Sequence, residues 1–309
     1  MFYKFTDANG WLAFELNVLR RLKFASALLP FSGETNLGAH IKRWDIRVAV
    51  NDLLQSAWVK AVASIQNNAE KLSDEDVSTI LEDVYVPRYR LQNRALRNWF
   101  NETDAWWFDN ARQTIEKLSS PVARAMALSI GIGVGDYALS FNEETRGLRQ
   151  PLSNVFKQLL SIQPEATDNG QNNVCQNKTA IDFIVENQTD LMFLRLPQAR
   201  HQRLKNQLGA MAWREEWLRG GDDFWNDLEL RQAGNLGAAI ETKHQYLELF
   251  EETLKTALHI SVWAVAYVEN GFVSTQDVVK IIGRMRRVDT VFTKDFSELT
   301  GSKAVIITA

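Results

Sequence analysis

The chain has 309 residues, of which 45% are hydrophobic and 24% are charged. The length corresponds to about two domains of average size. Lys and Arg number 35 against 38 Asp and Glu, so the formal net charge is −3. These values exclude a disordered chain, a collagen-like chain and a strongly basic protein that coats nucleic acid. Nucleic-acid binding would therefore need a local basic patch.

Cys175 is the single cysteine of the chain. An internal disulfide and a multi-cysteine zinc site are therefore excluded, and a reducing compartment is favoured. Residues 1–7 lack the charged-then-apolar pattern of a signal peptide. The longest nearly unbroken apolar run, residues 260–268, falls far short of the roughly 20 residues that a membrane helix needs. The four histidines show no metal-ligand spacing. We expect a soluble cytoplasmic protein with no metal site and no membrane partner.

The first elements in the chain form a strand-turn-helix-strand pattern. Residues 25–31 are an apolar run that ends at Ser32-Gly33, which is typical of a buried strand followed by a tight turn. A short helix is predicted over 37–43 and a second strand over 46–50, which ends at Asn51-Asp52. This order is typical of the first half of a nucleotide-binding α/β unit.

A mainly helical block follows, from Asp52 to about Gln163. Helices are predicted over 53–67, 73–83, 89–101 and 105–118, and the segment 131–141 is ambiguous. The first helix is assigned to the α/β unit. Ser73 and Asp76 have the spacing of a capping box. The sequence Gly131-Ile-Gly-Val-Gly-Asp136 resembles a dinucleotide loop, but no βαβ pattern surrounds it.

Alternating strands and helices resume after a polar loop at 163–173. Strands are predicted over 174–175, 191–196, 260–268, 290–293 and 304–308, and helices over 180–187, 205–217, 236–259 and 275–286. With the first two strands this makes about seven. The pattern predicts a discontinuous α/β domain, residues 1–70 and 165–309, interrupted by a helical insertion, residues 71–164.

Several short sequences resemble motifs of the Dam-type adenine-specific DNA methyltransferases. Residues 29–38, LPFSGETNLG, resemble the cofactor loop EPFxGxG, and residues 48–52, VAVND, resemble the strand that ends in Asn-Asp. Residues 177–183 and 189–194 resemble the segment that leads into the catalytic motif. Residues 262–267 resemble the C-terminal strand, and the helical block takes the place of the target-recognition insertion. The resemblance implies a Rossmann-like fold dependent on S-adenosylmethionine, with a seven-stranded, mostly parallel sheet.

The resemblance also implies a cofactor site. Phe31 and Gly33 match the loop, because a glycine lets the backbone approach the methionine part of the cofactor. A strand-to-helix turn with one glycine is the alternative. Asp52 would accept hydrogen bonds from the ribose hydroxyls, or else it caps a helix. Thr179 replaces an acidic residue near the adenine, and Asp182, about a turn later, is the nearest carboxylate. These departures predict weakened binding of S-adenosylmethionine.

The catalytic motif DPPY is not intact. Aligned on the strand at 191–194, the chain has Arg195, Leu196, Pro197 and Gln198 in its place. Transfer of a methyl group to an exocyclic amine needs hydrogen-bond acceptors and an aromatic face for the flipped base. An arginine has five donors and no acceptor. Only Pro197 matches, and the alignment therefore predicts that no catalytic residue is intact.

Arginines could still provide contacts to DNA phosphates. In the predicted helix over 89–101 three of them are spaced to share one face, and others lie in the insertion and near the former catalytic loop. The DNA-binding candidates are Arg90, Arg94, Arg97, Arg146, Arg200 and Arg203. A charged face is more often only a solvated face. The aromatic groups Trp99-Phe100, Trp106-Trp107-Phe108 and Phe224-Trp225 favour core or partner packing over base stacking.

Three functional interpretations follow. The favoured one is a degenerate methyltransferase homologue without catalytic activity that binds DNA or a protein partner. The second is an active, divergent adenine-specific enzyme that takes acceptors from Asp182 or from the carbonyl of Leu196. The third is an interaction protein with no nucleic-acid role, whose partner is another protein or a second copy of the chain.

Overall fold

The computed structural model describes residues 10–142, 144–269, 271–297 and 302–309. The segment 1–7, considered above as a possible signal peptide, lies outside these residues. The described chain is α/β, with about half of its residues in helices and one seven-stranded mixed sheet. The described residues divide into two compact units. One contains residues within 10–53, 169–208 and 226–309, and the other contains residues within 54–168 and 209–225. We call them the α/β unit and the helical unit.

The α/β unit contains all seven strands. They are β1 (Ser26–Leu29), β2 (Arg47–Asn51), β3 (Val174–Gln176), β4 (Leu191–Arg195), β5 (Val262–Glu269), β6 (Thr290–Asp295) and β7 (Lys303–Thr308). The sheet order is β3-β2-β1-β4-β5-β7-β6. The pairs from β3 to β5 are parallel, and β7 runs antiparallel to both β5 and β6. Strands β1 to β6 therefore all point in one direction.

One helix of this unit precedes β1, and the others lie between strands in the sequence. The helices are α1 (Trp11–Leu19), α2 (Asn36–Lys42), α8 (Ala180–Glu186), α9 (Leu204–Leu208), α11 (Trp225–Gln232), α12 (Lys243–Thr256) and α13 (Thr275–Ile282). The core combines sheet residues such as Leu28, Met192 and Trp263 with Phe183 of α8 and Phe250 of α12. Because strands such as β4 are buried on both faces, they are almost continuously apolar.

The helical unit contains α3 (Gln55–Ala61), α4 (Asp74–Leu81), α5 (Glu102–Ile115), α6 (Pro121–Leu139), α7 (Leu152–Ser161) and α10 (Ala212–Arg219). A π-helical turn, Val62–Gln66, extends α3. The capping box predicted at Ser73 is confirmed, since its side chain accepts from the N–H of Asp76 and Asp76 bonds back to the N–H of Ser73. At Ser120, the side chain caps α6 ahead of Pro121.

The division into units differs from the boundary expected at residue 70. Helix α3, which the sequence assigned to the α/β unit, packs on α6 and α10 of the helical unit. Its N-terminus is capped from α10, because the Glu215 carboxylate accepts the N–H groups of Gln55 and Ser56 at 2.9 and 2.8 Å. Residues 209–225 join the helical unit for the same reason, although they follow it by about 40 residues in the sequence.

Three predicted helices are wrong in length, continuity or type. Over 205–217 the chain forms two short helices, α9 and α10, with a 3₁₀ turn at Gly209–Met211 between them, because Gly209 has a φ of +54°. Over 89–101 the chain forms only a 3₁₀ turn, Arg94–Asn98. The backbone before that turn is bound instead by α5, since Asp109 accepts the N–H groups of Gln92 and Asn93, both at 2.9 Å. Over 236–259 the helix begins only at Lys243 and ends at Thr256, because Gly237 has a φ of +94° and Thr242 caps the true start.

The ambiguous segment at 131–141 belongs to helix α6, whose interior contains all three glycines of the dinucleotide-like sequence. This is the one helix among the described residues with the length and apolarity to cross a membrane, and half of that stretch is buried inside the structure. The side chains of Trp217 and Trp213 lie against Gly131 and Gly135. Helix α6 is thus packed within the helical unit. The search for unbroken apolar runs in the sequence did not find it, because it selected residues 260–268 instead.

Candidate functional site

The carboxyl ends of β1, β2 and β4 lie side by side in the centre of the sheet, where the strand order reverses between β1 and β4. In open α/β sheets this switch point is the usual ligand site. Asn51, the last residue of β2, fastens three strand ends together. Its side-chain amide donates to the carbonyls of Pro30 and Lys178 at 3.2 and 3.1 Å, and its oxygen accepts the N–H of Lys178 at 2.9 Å.

The structure brings two predicted cofactor residues into contact. Gly33 has a φ of +52°, and its N–H donates to the Asp52 carboxylate at 2.9 Å. Asp52 does not cap a helix, because the N-cap of α3 is Leu54. The alternative explanation for Asp52 was therefore wrong. The Asp52 carboxylate, which was expected to bind ribose, thus accepts a hydrogen bond from the backbone of the Gly33 turn.

Arg195 ends β4 and forms a buried ion pair with Glu15 of α1. Its Nε and Nη2 donate to the two carboxylate oxygens at 2.7 and 2.6 Å, and Nη1 donates to the carbonyl of Ser32 at 3.3 Å. The Glu15 side chain is fully buried, and it also accepts the indole N–H of Trp11 at 2.9 Å. A bidentate arginine–carboxylate pair therefore occupies the place that the DPPY motif would take.

The rest of the motif position is also engaged in packing. Pro197 is buried next to Gly237, and its carbonyl accepts the phenol of Tyr246 at 2.6 Å. Burial raises the pKa of Tyr246, so this phenol remains a neutral donor. Leu196 continues the sheet, since its N–H donates to the carbonyl of Ala266. Gln198 is half-buried and has no aromatic face.

Arg200 fastens a covering segment, residues 229–240, at this edge of the sheet. It is 2% exposed, and its guanidinium donates to Glu229 at 2.8 and 3.0 Å and to Gln232 at 2.9 Å. Burial opposes ionisation of Glu229, but the hydrogen bonds from Arg200 and Leu204 hold its pKa below the usual value. Arg200 is therefore corrected from a DNA-binding candidate to an internal ion-pair residue. Arg203 is exposed.

Asp182 lies at the start of α8 and is exposed. Its carboxylate accepts the hydroxyl of Thr179 at 2.6 Å, while Thr179 accepts the N–H of Asp182 at 3.2 Å. This pair of contacts caps a helix, and it explains the Thr-x-x-Asp spacing without a cofactor.

The crevice at the carboxyl ends of β1, β2 and β3 holds a cavity of only about 10 Å³. Its lining includes Phe31, Asn51, Lys178, Gln232 and Leu236. A cavity of this size holds about one water molecule, whereas sites for ligands of the size of S-adenosylmethionine measure about 300 to 1,000 Å³. The residues present therefore do not fit this cofactor in the arrangement described.

The arginine candidates of the helical unit lie on its surface. Arg90, Arg94 and Arg97 are exposed on the extended segment and the 3₁₀ turn, and Arg146 is exposed on a second 3₁₀ turn, Arg146–Leu148. They do not share a helix face as predicted. Tyr89, between Arg88 and Arg90, is 100% exposed. The segment is held in place because Asn110 of α5 donates to the carbonyls of Val84 and Val86 at 3.1 and 2.9 Å.

The aromatic groups mostly build the core, as the sequence favoured. Trp106, Trp107, Trp213 and Trp217 are buried in the helical unit. Several indoles donate to carboxylates, and Glu216, which is fully buried, accepts from both Trp99 and Trp225, at 2.6 and 3.0 Å. The indole N–H groups of other tryptophans find different partners: Trp107 donates to the hydroxyl of Ser153 and Trp217 to the carbonyl of Phe108, both at 3.0 Å.

No protein-family model matches this chain, and no curated protein matches it significantly.

Sequence reasoning missed Glu15 and Tyr246, the residues that occupy the site. A signal for Glu15 is present, because it lies on the apolar face of α1 between Trp11, Phe14 and Val18. A lone carboxylate on such a face requires a buried cation. Because the sequence pattern did not predict helix α1, the need of Glu15 for a buried cation could not be inferred from it. No sequence signal links Tyr246 to Pro197, which is 49 residues away.

Proposed function

We propose that this protein is a non-catalytic relative of the Dam-type adenine-specific DNA methyltransferases that binds nucleic acid. The observation that carries the proposal is the Glu15–Arg195 ion pair at the catalytic position. It puts a guanidinium, which cannot accept a hydrogen bond, where methyl transfer to an amine needs acceptors. The strand order β3-β2-β1-β4-β5 and the Gly33–Asp52 contact support the Rossmann-like part of the proposal.

The segment 84–101 supports nucleic-acid binding. It carries Arg88, Arg90, Arg94 and Arg97 and no acidic residue. All four arginines are exposed, and Tyr89 offers a free aromatic face between two of them. Guanidinium groups suit phosphate oxygens, and an exposed ring can stack on an unpaired base. Because Asp109 and Asn110 of α5 hold the backbone, the segment presents these side chains from a fixed position.

The alternative of an active, divergent enzyme has less support. Asp182, one of its two candidate acceptors, is exposed and bonded to Thr179 in a helix cap. The crevice would also need to enlarge from about 10 Å³ before the cofactor could enter.

Titration calorimetry with S-adenosylmethionine, together with a methylation assay on adenine-containing DNA, tests the catalytic half of the proposal. We expect no heat of binding and no methyl transfer from the pure protein. Tight cofactor binding or measurable methylation would overturn this half and favour the active enzyme.

The binding half is tested by the salt dependence of affinity for a duplex and a single-stranded DNA. The variant Arg90→Ala/Arg94→Ala/Arg97→Ala should lower the slope of log K against log salt by about 2 to 3, because each lost phosphate contact removes about 0.9. Lys71→Ala/Lys117→Ala/Lys157→Ala, exposed in the same unit, is the charge-matched control. Equal slopes for the two variants would refute binding by this segment. If the protein does not bind DNA but forms a stable oligomer in solution, the third interpretation, an interaction protein with no nucleic-acid role, would be favoured.

A further inference from the structure

Strands β1 to β6 all point in one direction, so the turns that enter them lie at one edge of the sheet, opposite the crevice. We call the entering segments of these strands, residues 20–26, 43–47, 169–174, 187–191, 257–262 and 283–290, the amino edge. The amino edge carries eight Lys and Arg side chains and three Asp side chains. The whole chain has more acidic than basic residues. The positive charge is therefore concentrated here.

Six of the eight cations are exposed: Arg20, Arg21, Lys23, Arg43, Arg284 and Arg287. Two of them are positioned by aromatic rings, since the guanidinium of Arg20 lies 5.5 Å from the ring centre of Trp44 and that of Arg21 lies 5.3 Å from that of Phe292. The stacking joins the turns before β1 and β2 to strand β6. It also limits side-chain freedom while leaving the positive charges at the surface.

Three of the eight cations, Arg47, Arg284 and Arg286, have hydrogen-bond or ion-pair partners within the unit. Arg47 donates to the carbonyl of Gln188 at 2.6 Å, and Arg284 pairs with Glu251. Arg286 donates to the carbonyls of Ile260 and Ser261, both at 2.9 Å, and stacks on Trp263. Only one of these three charges is thus balanced by a carboxylate.

The three aspartates offset little of this charge. Asp190 accepts the N–H groups of Ala25 and Ser26 at 2.8 and 3.0 Å, and the bond from Ala25 contributes most to lowering its pKa. Its carboxylate is therefore directed at the backbone before β1. Asp45 and Asp289 are exposed beside Arg43 and Arg287 and can cancel two charges at most.

We infer that the amino edge is a second nucleic-acid surface that binds the phosphodiester backbone. From β2 to β6 it spans five strand intervals, about 24 Å, which matches several successive phosphates rather than one small anion. Seven of its eight cations are arginine, whose planar fork binds phosphate oxygens bidentately. A surface that binds a membrane would also have a row of exposed apolar side chains. In the described part of these segments, Leu258 is the one large apolar side chain that is exposed.

The test compares two variants with the same change in net charge. One replaces Arg20, Arg21, Lys23 and Arg43 with Gln, and the control replaces Lys205, Lys243, Lys255 and Lys280, which lie on helices α9, α12 and α13, with Gln. The probes are a duplex DNA, a single-stranded DNA, an RNA hairpin and vesicles that contain phosphatidylserine. We expect the amino-edge variant to lower the salt slope for nucleic acid by about 2 to 4 and the control to leave it unchanged.

The reversal pair Lys23→Glu/Arg43→Glu provides a second test that leaves both stacked arginines in place. It should weaken nucleic-acid binding at least tenfold at low salt. Equal slopes for the quadruple variant and its control would overturn the inference, and so would a loss confined to the vesicles. The same changes made in the Arg90→Ala/Arg94→Ala/Arg97→Ala background separate the two surfaces. If the triple variant alone keeps the wild-type slope while the amino-edge changes still lower it, the segment 84–101 fails and the amino edge stands. If the triple variant lowers the slope and the amino-edge changes have no effect in either background, the amino edge is overturned.

Discussion

At the residue scale, the candidate site is best understood from the contacts of Arg195. Arg195 stands where a methyltransferase of this resemblance would have an acceptor, and Glu15 neutralises it from a helix far away in sequence. A buried ion pair contributes little net stability compared with a well-packed apolar pair, but the loss of one partner leaves an uncompensated charge. The two residues therefore act as one unit, and removal of either alone is expected to destabilise the fold.

The variant Arg195→Met should lower the free energy of unfolding by about 3 to 5 kcal/mol, because Glu15 would remain buried with only the indole of Trp11 as donor. The double variant Glu15→Leu/Arg195→Met should recover most of this loss. Urea denaturation followed by circular dichroism measures both. If Arg195→Met has the same free energy of unfolding as the double variant, the two residues are not energetically coupled.

At the element scale, helix α6 shows how a motif changes meaning with its context. A methyl group at Gly131 would lie 2.3 Å from Cη2 of Trp217, and one at Gly135 would lie 2.1 Å from Cη2 of Trp213. These glycines let two indoles approach the helix backbone. The sequence that resembles a dinucleotide loop is therefore a packing surface.

Gly131→Ala should destabilise the protein by about 1 to 3 kcal/mol, since the rigid indole of Trp217 cannot move aside cheaply. Gly133→Ala is the matched control on the same helix. Its methyl group would meet only Cδ1 of Leu159, at 2.9 Å, and alanine favours a helix by about 1 kcal/mol over glycine. Urea unfolding midpoints should therefore fall for the first variant and not for the second. Equal midpoints would contradict the packing role.

The start of helix α13 supplies a pH-dependent contribution. Asp277 accepts from Lys243 and from Ser274 of the capping box, and these contacts lower its pKa from 3.8 to about 2. Because the folded-state pKa is the lower one, the stabilisation is present above about pH 4 and is lost as the pH falls towards 2. The side chain is partly exposed, so we expect only about 1 kcal/mol.

The variant Asp277→Asn should therefore be about 1 kcal/mol less stable than the wild type at pH 7, and the difference should vanish between pH 4 and pH 2. Chemical denaturation at a series of pH values measures it, with Glu241→Gln, an exposed carboxyl in the same unit, as the control. A difference that stays constant across this range would contradict the assignment.

At the scale of the whole molecule, the chain forms two units that interleave in sequence. The α/β unit is assembled from three segments and the helical unit from two. Each unit has its own buried residues, and helix α6 places its apolar surface against α7 and against the tryptophans of α10. An apolar helix packed in this way does not need a lipid environment.

We therefore expect the full-length protein to partition into the aqueous phase in a Triton X-114 separation. The detergent is uncharged, so the cations of the amino edge do not bias the result. Recovery in the detergent phase would show that α6 is available to lipid. The variant Gly131→Ala, if it loosens the packing against Trp217, should shift part of the protein into the detergent phase.

The sequence alone predicted the strands well, because buried β-branched runs such as residues 46–50 and 260–268 depend on local pattern. It also located the Gly33 turn and placed Asp52 next to it. Where it failed, distant residues compete for the backbone. Asp109 and Asn110 hold residues 84–93 out of a helix, and Gly237 delays the start of α12.

What the sequence by itself determined is the alternation of strands and helices and the absence of an acceptor at Arg195, since both depend on residue type and local spacing. Only the tertiary structure decided what surrounds that position. Three separate helices provide the partners: Glu15 for Arg195, Tyr246 for Pro197 and Glu229 for Arg200. No local sequence pattern links the members of these pairs. The physical reason is that a buried charge or polar group needs a partner, and the fold determines which one lies within reach.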